Sequence, residues 1–213
     1  MKNIGLIAEK AHQVFEARTQ ARDKALGQAR QITRHSANAI RALHRSEYEL
    51  AEQQLHEVRR LVDSLKEELG EYLDLYYAGY TQDAIKEFAE ASIAYALVRN
   101  QSLPTPEALA VEYATYLNGL AEVPGELRRR CLDILRQGYS QEAERLLFCM
   151  DEIYGILVTL DYPDAVTNGL RRQTDLVRGI VERTRGDLTI SLREQQLSEK
   201  MDTLSRRLPG DST

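Results

Sequence analysis

Apolar residues recur every three or four positions along most of the chain, which is the spacing of helices that bury one face. Stretches that contain glycine or proline interrupt this pattern and mark the ends of the predicted helices. The pattern predicts an all-α protein, with residues 1–213 forming a single domain built as an antiparallel bundle of six to seven helices. The predicted helices cover about 3–43, 47–77, 81–99, 105–137, 140–160 and 161–185, and an amphipathic tail covers 187–213.

The tail carries apolar residues near heptad spacing. They are Ile190, Leu197, Met201, Leu204 and Leu208. We therefore expect the tail to pack on its own domain or on a second subunit.

Two predicted turns share the pattern Gly-Tyr-(Ser/Thr)-Gln-(Asp/Glu)-Ala, at 79–84 and 138–143. In each, the glycine suits a left-handed position after a helix, and Thr81 or Ser140 is expected to cap the following helix. Inside the fourth predicted helix, the dipeptide 124–125 (Pro-Gly) predicts a kink or restart, because proline has no backbone N–H.

The first predicted helix has two opposite faces. Apolar side chains occupy one side of its helical wheel, namely Ala25, Ala29, Ile32, Ala39, Ile40 and Leu43. The opposite side carries Arg30, Arg34, Arg41 and Arg45, which we call the arginine surface. A solvated face usually mixes charges so that ion pairs form between successive turns, whereas this one has no acidic residue. The arginine surface therefore predicts phosphate binding.

Composition and charge agree with this prediction. The chain has 213 residues with only five prolines, and a formal net charge of −5. Seven basic residues and one acid, Asp23, lie between Arg18 and Arg45, so this segment carries +6 and the remainder carries −11. Such an asymmetry is typical of a polyanion-binding element on an otherwise acidic protein.

The remaining composition predicts a protein of the cytoplasm. No apolar run approaches the length of a membrane span, and no cleavable signal is recognisable in residues 1–10. The two cysteines, Cys131 and Cys149, lie in helical patterns without the spacing of metal ligands, so we expect two buried thiols in a reducing compartment. No membrane partner is expected.

Four glutamates are the candidate catalytic and metal-binding residues. Glu87 and Glu90 are three residues apart, and Glu122 and Glu126 are four apart, so each pair shares one face of a helix. Most glutamates in an acidic chain are simply solvated. Four carboxylates from two neighbouring helices nevertheless suit a hard divalent cation, Mg²⁺ or Mn²⁺. A di-iron or zinc site is excluded because no histidine has the required spacing.

Three stretches resemble the translin and translin-associated factor X (TRAX) superfamily, of the archaeal or prokaryotic type. They are GLAEVPGELRR at 119–129, KEFAEASIAYAL at 86–97 and ALHRSEYELA at 42–51. The resemblance covers most of the chain. It implies a seven-helix all-α subunit that assembles into a closed, hollow oligomer, typically an octamer, which encloses RNA or DNA.

The resemblance also implies a chemistry. In the TRAX branch, acidic residues on two helices bind Mg²⁺ and cleave RNA, whereas the translin branch binds nucleic acid and is largely a scaffold. Glu87, Glu90, Glu122 and Glu126 match the TRAX acids position by position, except that TRAX has aspartate where Glu122 stands.

The sequence therefore predicts a Mg²⁺-dependent endoribonuclease, with four glutamates as catalytic metal ligands and the arginine surface as the nucleic-acid contact. The expected partners are RNA, or single-stranded DNA, and further copies of the chain in a homo-octamer. Two alternatives stay open, which are a non-catalytic shell that binds RNA or single-stranded DNA, and a helical scaffold without a nucleic-acid role.

Overall fold

A computed structural model describes residues 3–207, apart from the side chain of Arg207. The described residues contain helices and no strand, which confirms the all-α prediction. Leu208 and the rest of the predicted tail, 208–213, lie outside the described residues. Among residues 3–207, no helix combines the length and the apolar character needed to cross a bilayer.

Six long helices and three single-turn helices make up this part of the chain. They are α1 (Ile4–His44), α2 (Tyr48–Glu68), α3 (Leu73–Tyr76), α4 (Gly79–Val98), α5 (Pro106–Leu109), α6 (Tyr113–Leu135), α7 (Gln141–Leu157), α8 (Asp164–Thr167) and α9 (Leu170–Arg207). Each long helix corresponds to one of the six predicted helices, and the short ones lie in the connections between them.

The fourth predicted helix breaks at a different place from the one expected. Thr105 caps α5 by accepting a hydrogen bond from the Ala108 N–H at 3.1 Å, and α5 ends where Ala110 adopts a left-handed conformation with φ of 54°. The prediction of a restart at 124–125 is wrong, because α6 continues through Pro124. Val123 and Leu127 on either side of the proline are fully buried, and their packing holds the helix together there.

Two further predictions about helix ends are corrected. The second predicted helix ends at Glu68 rather than near residue 77, and the last helix runs through Gly186 instead of stopping before it. Gly186 keeps a helical conformation, and Leu188 just beyond it is buried, so tertiary contacts outweigh the weak helix propensity of glycine.

The two repeated turns have different structures. At 138–143 the prediction is confirmed, since Gly138 has φ of 110° and the Ser140 hydroxyl accepts from the Glu142 N–H at 3.2 Å. At 79–84 it is wrong, because α4 already begins at Gly79. Thr81 therefore lies inside the helix, where its hydroxyl donates to the Leu75 carbonyl at 2.8 Å.

The chain divides into two compact units, residues 1–119 and 120–213. In the first unit, α1 packs along both α2 and α4, and α2 also contacts α4. The large side chains at its centre are fully buried: Ile32, Leu43, Leu65, Ile85 and Ile93. The buried side of α1 is the apolar face that the sequence predicted. That the whole chain forms one domain stays a prediction.

In the second unit, α7 packs against α9, and α8 contacts the start of α9. Leu146, Met150 and Leu188 are among its fully buried side chains. Cys131 is buried as expected, with its thiol donating to the Ala143 carbonyl at 3.6 Å, whereas Cys149 is half-buried. Burial raises the pKa of the Cys131 thiol to about 12, so this thiol stays protonated at neutral pH.

Candidate metal centre and arginine surface

Helix α4 places two of the predicted glutamates in an environment of small side chains. Its sequence is rich in alanine, which favours the helix and lets neighbouring elements approach closely. Ala89, Ala91 and Ala94 are buried next to Glu90, which is itself only 7% exposed. An ionised carboxylate is costly to bury without compensation. Glu90 therefore differs most of the four from an ordinary solvated surface glutamate.

Helix α6 approaches α4 at Gly119. A Cβ atom built on Gly119 would lie 2.9 Å from the Lys86 carbonyl oxygen, 3.1 Å from the Ala89 Cβ and 3.1 Å from the Glu90 backbone nitrogen. A Cβ atom essentially never lies 2.9 Å from a backbone oxygen, and the two contacts at 3.1 Å are also tight, so a side chain at this position would force the two backbones apart. Glu122 follows three residues later on the same side of the continuous helix α6.

Three of the four predicted acids meet. Glu87, Glu90 and Glu122 each offer a carboxylate oxygen, and these oxygens lie within 4.8 Å of one another. The Lys86 ammonium group lies 3.7 Å from the Glu87 carboxylate, so one cation already balances part of the negative charge. The donor set consists only of carboxylate oxygens, which fits a hard divalent cation such as Mg²⁺ or Mn²⁺.

Glu126 is not part of this group of three. It lies one helical turn beyond Glu122 in α6 and is half-buried. The sequence predicts that Glu126 binds the metal together with the other three acids, and this role stays a prediction.

The sequence alone did not predict that Gly119 positions the metal site. The available signal was a glycine inside a predicted helix, where it costs about 1 kcal/mol relative to alanine and is therefore often kept for a packing reason. The sequence alone does not show which backbone comes close to it.

The arginine surface lies on the exposed side of α1. All four of its members are exposed, and none of them pairs with a carboxylate within the part of the chain that the structure describes. Basic residues nearer the N-terminus of α1 behave differently, because Arg18 pairs with Asp74 and Lys24 pairs with Glu68 at 2.9 Å. The predicted phosphate-binding residues are therefore the ones that keep their charge available.

Comparison with known proteins gives relatives that span nearly the whole chain. No protein-family model matches. An uncharacterized protein of Methanocaldococcus jannaschii is 32% identical over 182 residues, which cover 84% of this chain and 80% of the relative. Among solved structures, AfC3PO, crystallised alone and in a complex with duplex RNA, is 32% identical, with a TM-score of 0.83 over 89% of this chain and 98% of AfC3PO.

A third structure, apo-NeC3PO, has 20% identity and a TM-score of 0.79 over 86% of this chain and 96% of that protein, and so supports the fold. AfC3PO and NeC3PO are C3PO proteins of the translin/TRAX family. The identity and coverage of AfC3PO, together with the fold, agree with the resemblance in the sequence. The chain belongs to the translin/TRAX superfamily.

Proposed function

We propose that this protein is a Mg²⁺-dependent endoribonuclease of the translin/TRAX type. The observation that carries the proposal is the group formed by Glu87, Glu90 and Glu122, in which three carboxylate oxygens lie within 4.8 Å. Like charges at this distance repel, and a buried member such as Glu90 makes the repulsion costly unless a cation is present. A divalent metal ion held by the three carboxylates would lower this repulsion.

The three carboxylates would hold Mg²⁺ or Mn²⁺. When bound, such an ion supplies Lewis-acid polarisation of a phosphate oxygen and lowers the pKa of a coordinated water. Lys86, whose ammonium group lies beside Glu87, supplies a second positive charge for an approaching phosphodiester. Glu126 is the proposed fourth acid, one turn along α6, where it would contribute a ligand or orient the attacking water.

The arginine surface would bind the RNA backbone. Arg30 and Arg45 are fifteen positions apart, which is about 22 Å along the helix axis and long enough to contact several successive phosphates. The structure of AfC3PO with duplex RNA supports RNA as the ligand of this family member as well. Single-stranded DNA presents the same phosphate groups and is a second polyanion that this surface would accept.

Assembly into a closed, hollow homo-octamer is part of the proposal. The described part of α9 keeps several large apolar side chains about 60% exposed, which is unusual for a monomer. They are Ile190, Leu197, Met201 and Leu204. Burial of these residues between copies of the chain would remove this apolar surface from water.

The decisive experiment compares Glu90→Gln with the wild type in cleavage of labelled RNA, with Mg²⁺ and with EDTA. We expect the variant to lose cleavage by on the order of 10²-fold or more while it binds RNA with unchanged affinity. Glu182→Gln, an equivalent change of an exposed glutamate on α9, serves as the control and keeps full activity.

A second measurement is independent of activity. Because a ligand that binds only the folded state stabilises it, Mg²⁺ at about 100 times its Kd adds about 2.7 kcal/mol, or about 5–10 °C in Tm. We expect this Mg²⁺-dependent shift in the wild type and in Glu182→Gln, and its loss in Glu90→Gln. Full cleavage and an unchanged shift in Glu90→Gln would remove Glu90 from the metal site.

One observation favours the non-catalytic shell as the second candidate. Lys86 already compensates part of the negative charge around Glu87, and Glu126 is not in the group of three acids. RNA binding without any Mg²⁺-dependent cleavage would establish this alternative. Absence of RNA binding would leave the helical scaffold.

A further inference from the structure

A cavity of about 250 Å³ lies between the end of α1 and the start of α2. It adjoins the arginine surface, because Arg41 and Arg45 form part of its wall. Three residues at the start of α2 face it at positions i, i+3 and i+7, which places them on one side of the helix: Glu47, Leu50 and Gln54. The candidate metal centre shares no residue with this cavity.

A chain of hydrogen bonds fixes the orientation of the Gln54 amide. Arg41, which can only donate, gives a hydrogen bond to the Asn38 Oδ1 atom, so the Asn38 amide nitrogen faces away from Arg41. This nitrogen lies 3.5 Å from the Gln54 Oε1 atom, and the His35 Nδ1 atom lies 2.8 Å from the same oxygen. Gln54 therefore uses its oxygen within the protein.

The other end of the Gln54 amide is available to a ligand. Its Nε2 group carries two N–H donors and has no hydrogen-bond acceptor among residues 3–207. At the opposite end of this side of α2, the Glu47 carboxylate offers only acceptors and has no ion-pair partner in the same part of the chain. Leu50 lies between them with 44% of its surface exposed, and provides an apolar platform.

We infer that this cavity binds an unpaired guanine base of the RNA, an inference that rests on the proposed RNA-binding function. The Watson–Crick edge of guanine presents one acceptor, O6, followed by two donors, the N1–H and the N2 amino group. Gln54 Nε2 donates to O6, and the Glu47 carboxylate accepts from N1–H and the amino group. Unpaired bases are recognised on this edge by proteins that bind RNA sequence-specifically.

The other bases fit less well for the same reason. Adenine and cytosine present an amino donor to Gln54 and a ring acceptor to Glu47, so both contacts are mismatched. Uracil matches at O4 and N3–H but places its O2 acceptor against Glu47. The expected order of affinity is guanine, then uracil, then adenine and cytosine, and Arg41 and Arg45 bind the phosphates of the same strand.

The test measures fluorescence anisotropy of labelled RNA duplexes that differ only in one unpaired 3′ nucleotide, in EDTA so that no cleavage occurs. We expect the guanine overhang to bind about tenfold more tightly than the adenine overhang, which corresponds to about 1.4 kcal/mol. An inosine overhang, which lacks the N2 amino group, is expected to bind with intermediate affinity.

Two variants separate recognition from charge. Glu47→Ala removes the acceptor, so the ratio between guanine and adenine overhangs falls to about one. Glu49→Ala makes the same change of charge two residues away, on the opposite side of α2, and keeps the wild-type ratio. Removal of either acid also weakens the repulsion of phosphate, so the affinity for the adenine overhang rises to a similar extent in both variants, whereas the affinity for the guanine overhang rises only in Glu49→Ala.

Equal affinity of the wild type for all overhangs, with RNA still bound, overturns the guanine pocket and leaves the proposed nuclease untouched. A guanine preference that survives in Glu47→Ala also overturns it. Preference for guanine without Mg²⁺-dependent cleavage supports the pocket and refutes the nuclease, and absence of RNA binding refutes both.

Discussion

Substitution of Gly119 by alanine tests whether the close approach of α6 to α4 positions the metal centre. The added Cβ atom would lie 2.9–3.1 Å from three atoms of α4, two of which belong to its backbone. Backbone atoms in the middle of a packed helix cannot turn aside as the end of a flexible side chain does. Helix α6 must therefore move away from α4 by a few tenths of an ångström.

Two opposing free energies determine the magnitude. Overpacking of a close contact costs about 1–3 kcal/mol, whereas replacement of a glycine by alanine inside a helix gains up to about 1 kcal/mol. Gly119→Ala is therefore expected to lower the free energy of unfolding by up to about 2 kcal/mol. The displacement also shifts Glu122, three residues further along α6, relative to Glu87 and Glu90.

Gly125 provides the matched control in the same helix. A Cβ atom added there meets no atom within 4 Å, so Gly125→Ala gains the helix propensity without the steric cost. The difference between the free energies of unfolding of the two variants is therefore the steric contribution, about 1–3 kcal/mol in favour of Gly125→Ala. For a chain of this size, that difference corresponds to about 2–12 °C in Tm.

The assay combines thermal unfolding with Mg²⁺-dependent RNA cleavage at saturating RNA. We expect Gly125→Ala to cleave RNA at the wild-type rate. The cleavage rate of Gly119→Ala should be about 10- to 100-fold lower, because small displacements of ligating groups are costly in catalysis. If Gly119→Ala were as stable and as active as Gly125→Ala, the contact between α6 and α4 would have no part in positioning Glu122.

Two further predictions concern the arginine surface and the assembly. The double variant Arg34→Ala/Arg41→Ala should reduce the slope of log affinity against log salt for RNA by about 1.4–1.8, because each lost phosphate contact accounts for about 0.7–0.9. Arg171→Ala/Arg185→Ala removes two arginines that pair with Asp161 and Asp151, and should leave the slope unchanged; equal slopes in the two double variants would contradict phosphate binding by α1. Light scattering of the wild type at micromolar concentration should give a mass of about eight times 24.3 kDa, whereas the mass of a single chain would refute the homo-oligomer.

The sequence by itself determined the helices and their faces. The wheel of α1 separates Ile32 and Leu43 from the arginine surface, and the structure buries the former and exposes the latter. This succeeds because helical periodicity is a local property, set by residues three and four positions apart. The pairing of Glu87 with Glu90 on one face of α4 follows from the same rule.

The tertiary structure decided which of these faces come together. That α6 continues through Pro124 depends on the buried side chains of Val123 and Leu127, and the closeness of Glu122 to α4 depends on Gly119 having no Cβ atom. The Gln54 N–H donors that find no acceptor within the described part of the chain likewise follow from a hydrogen-bond chain that joins two helices. Contacts of this kind form between residues far apart in the chain, and their energies depend on distances of a few tenths of an ångström that helical periodicity does not encode.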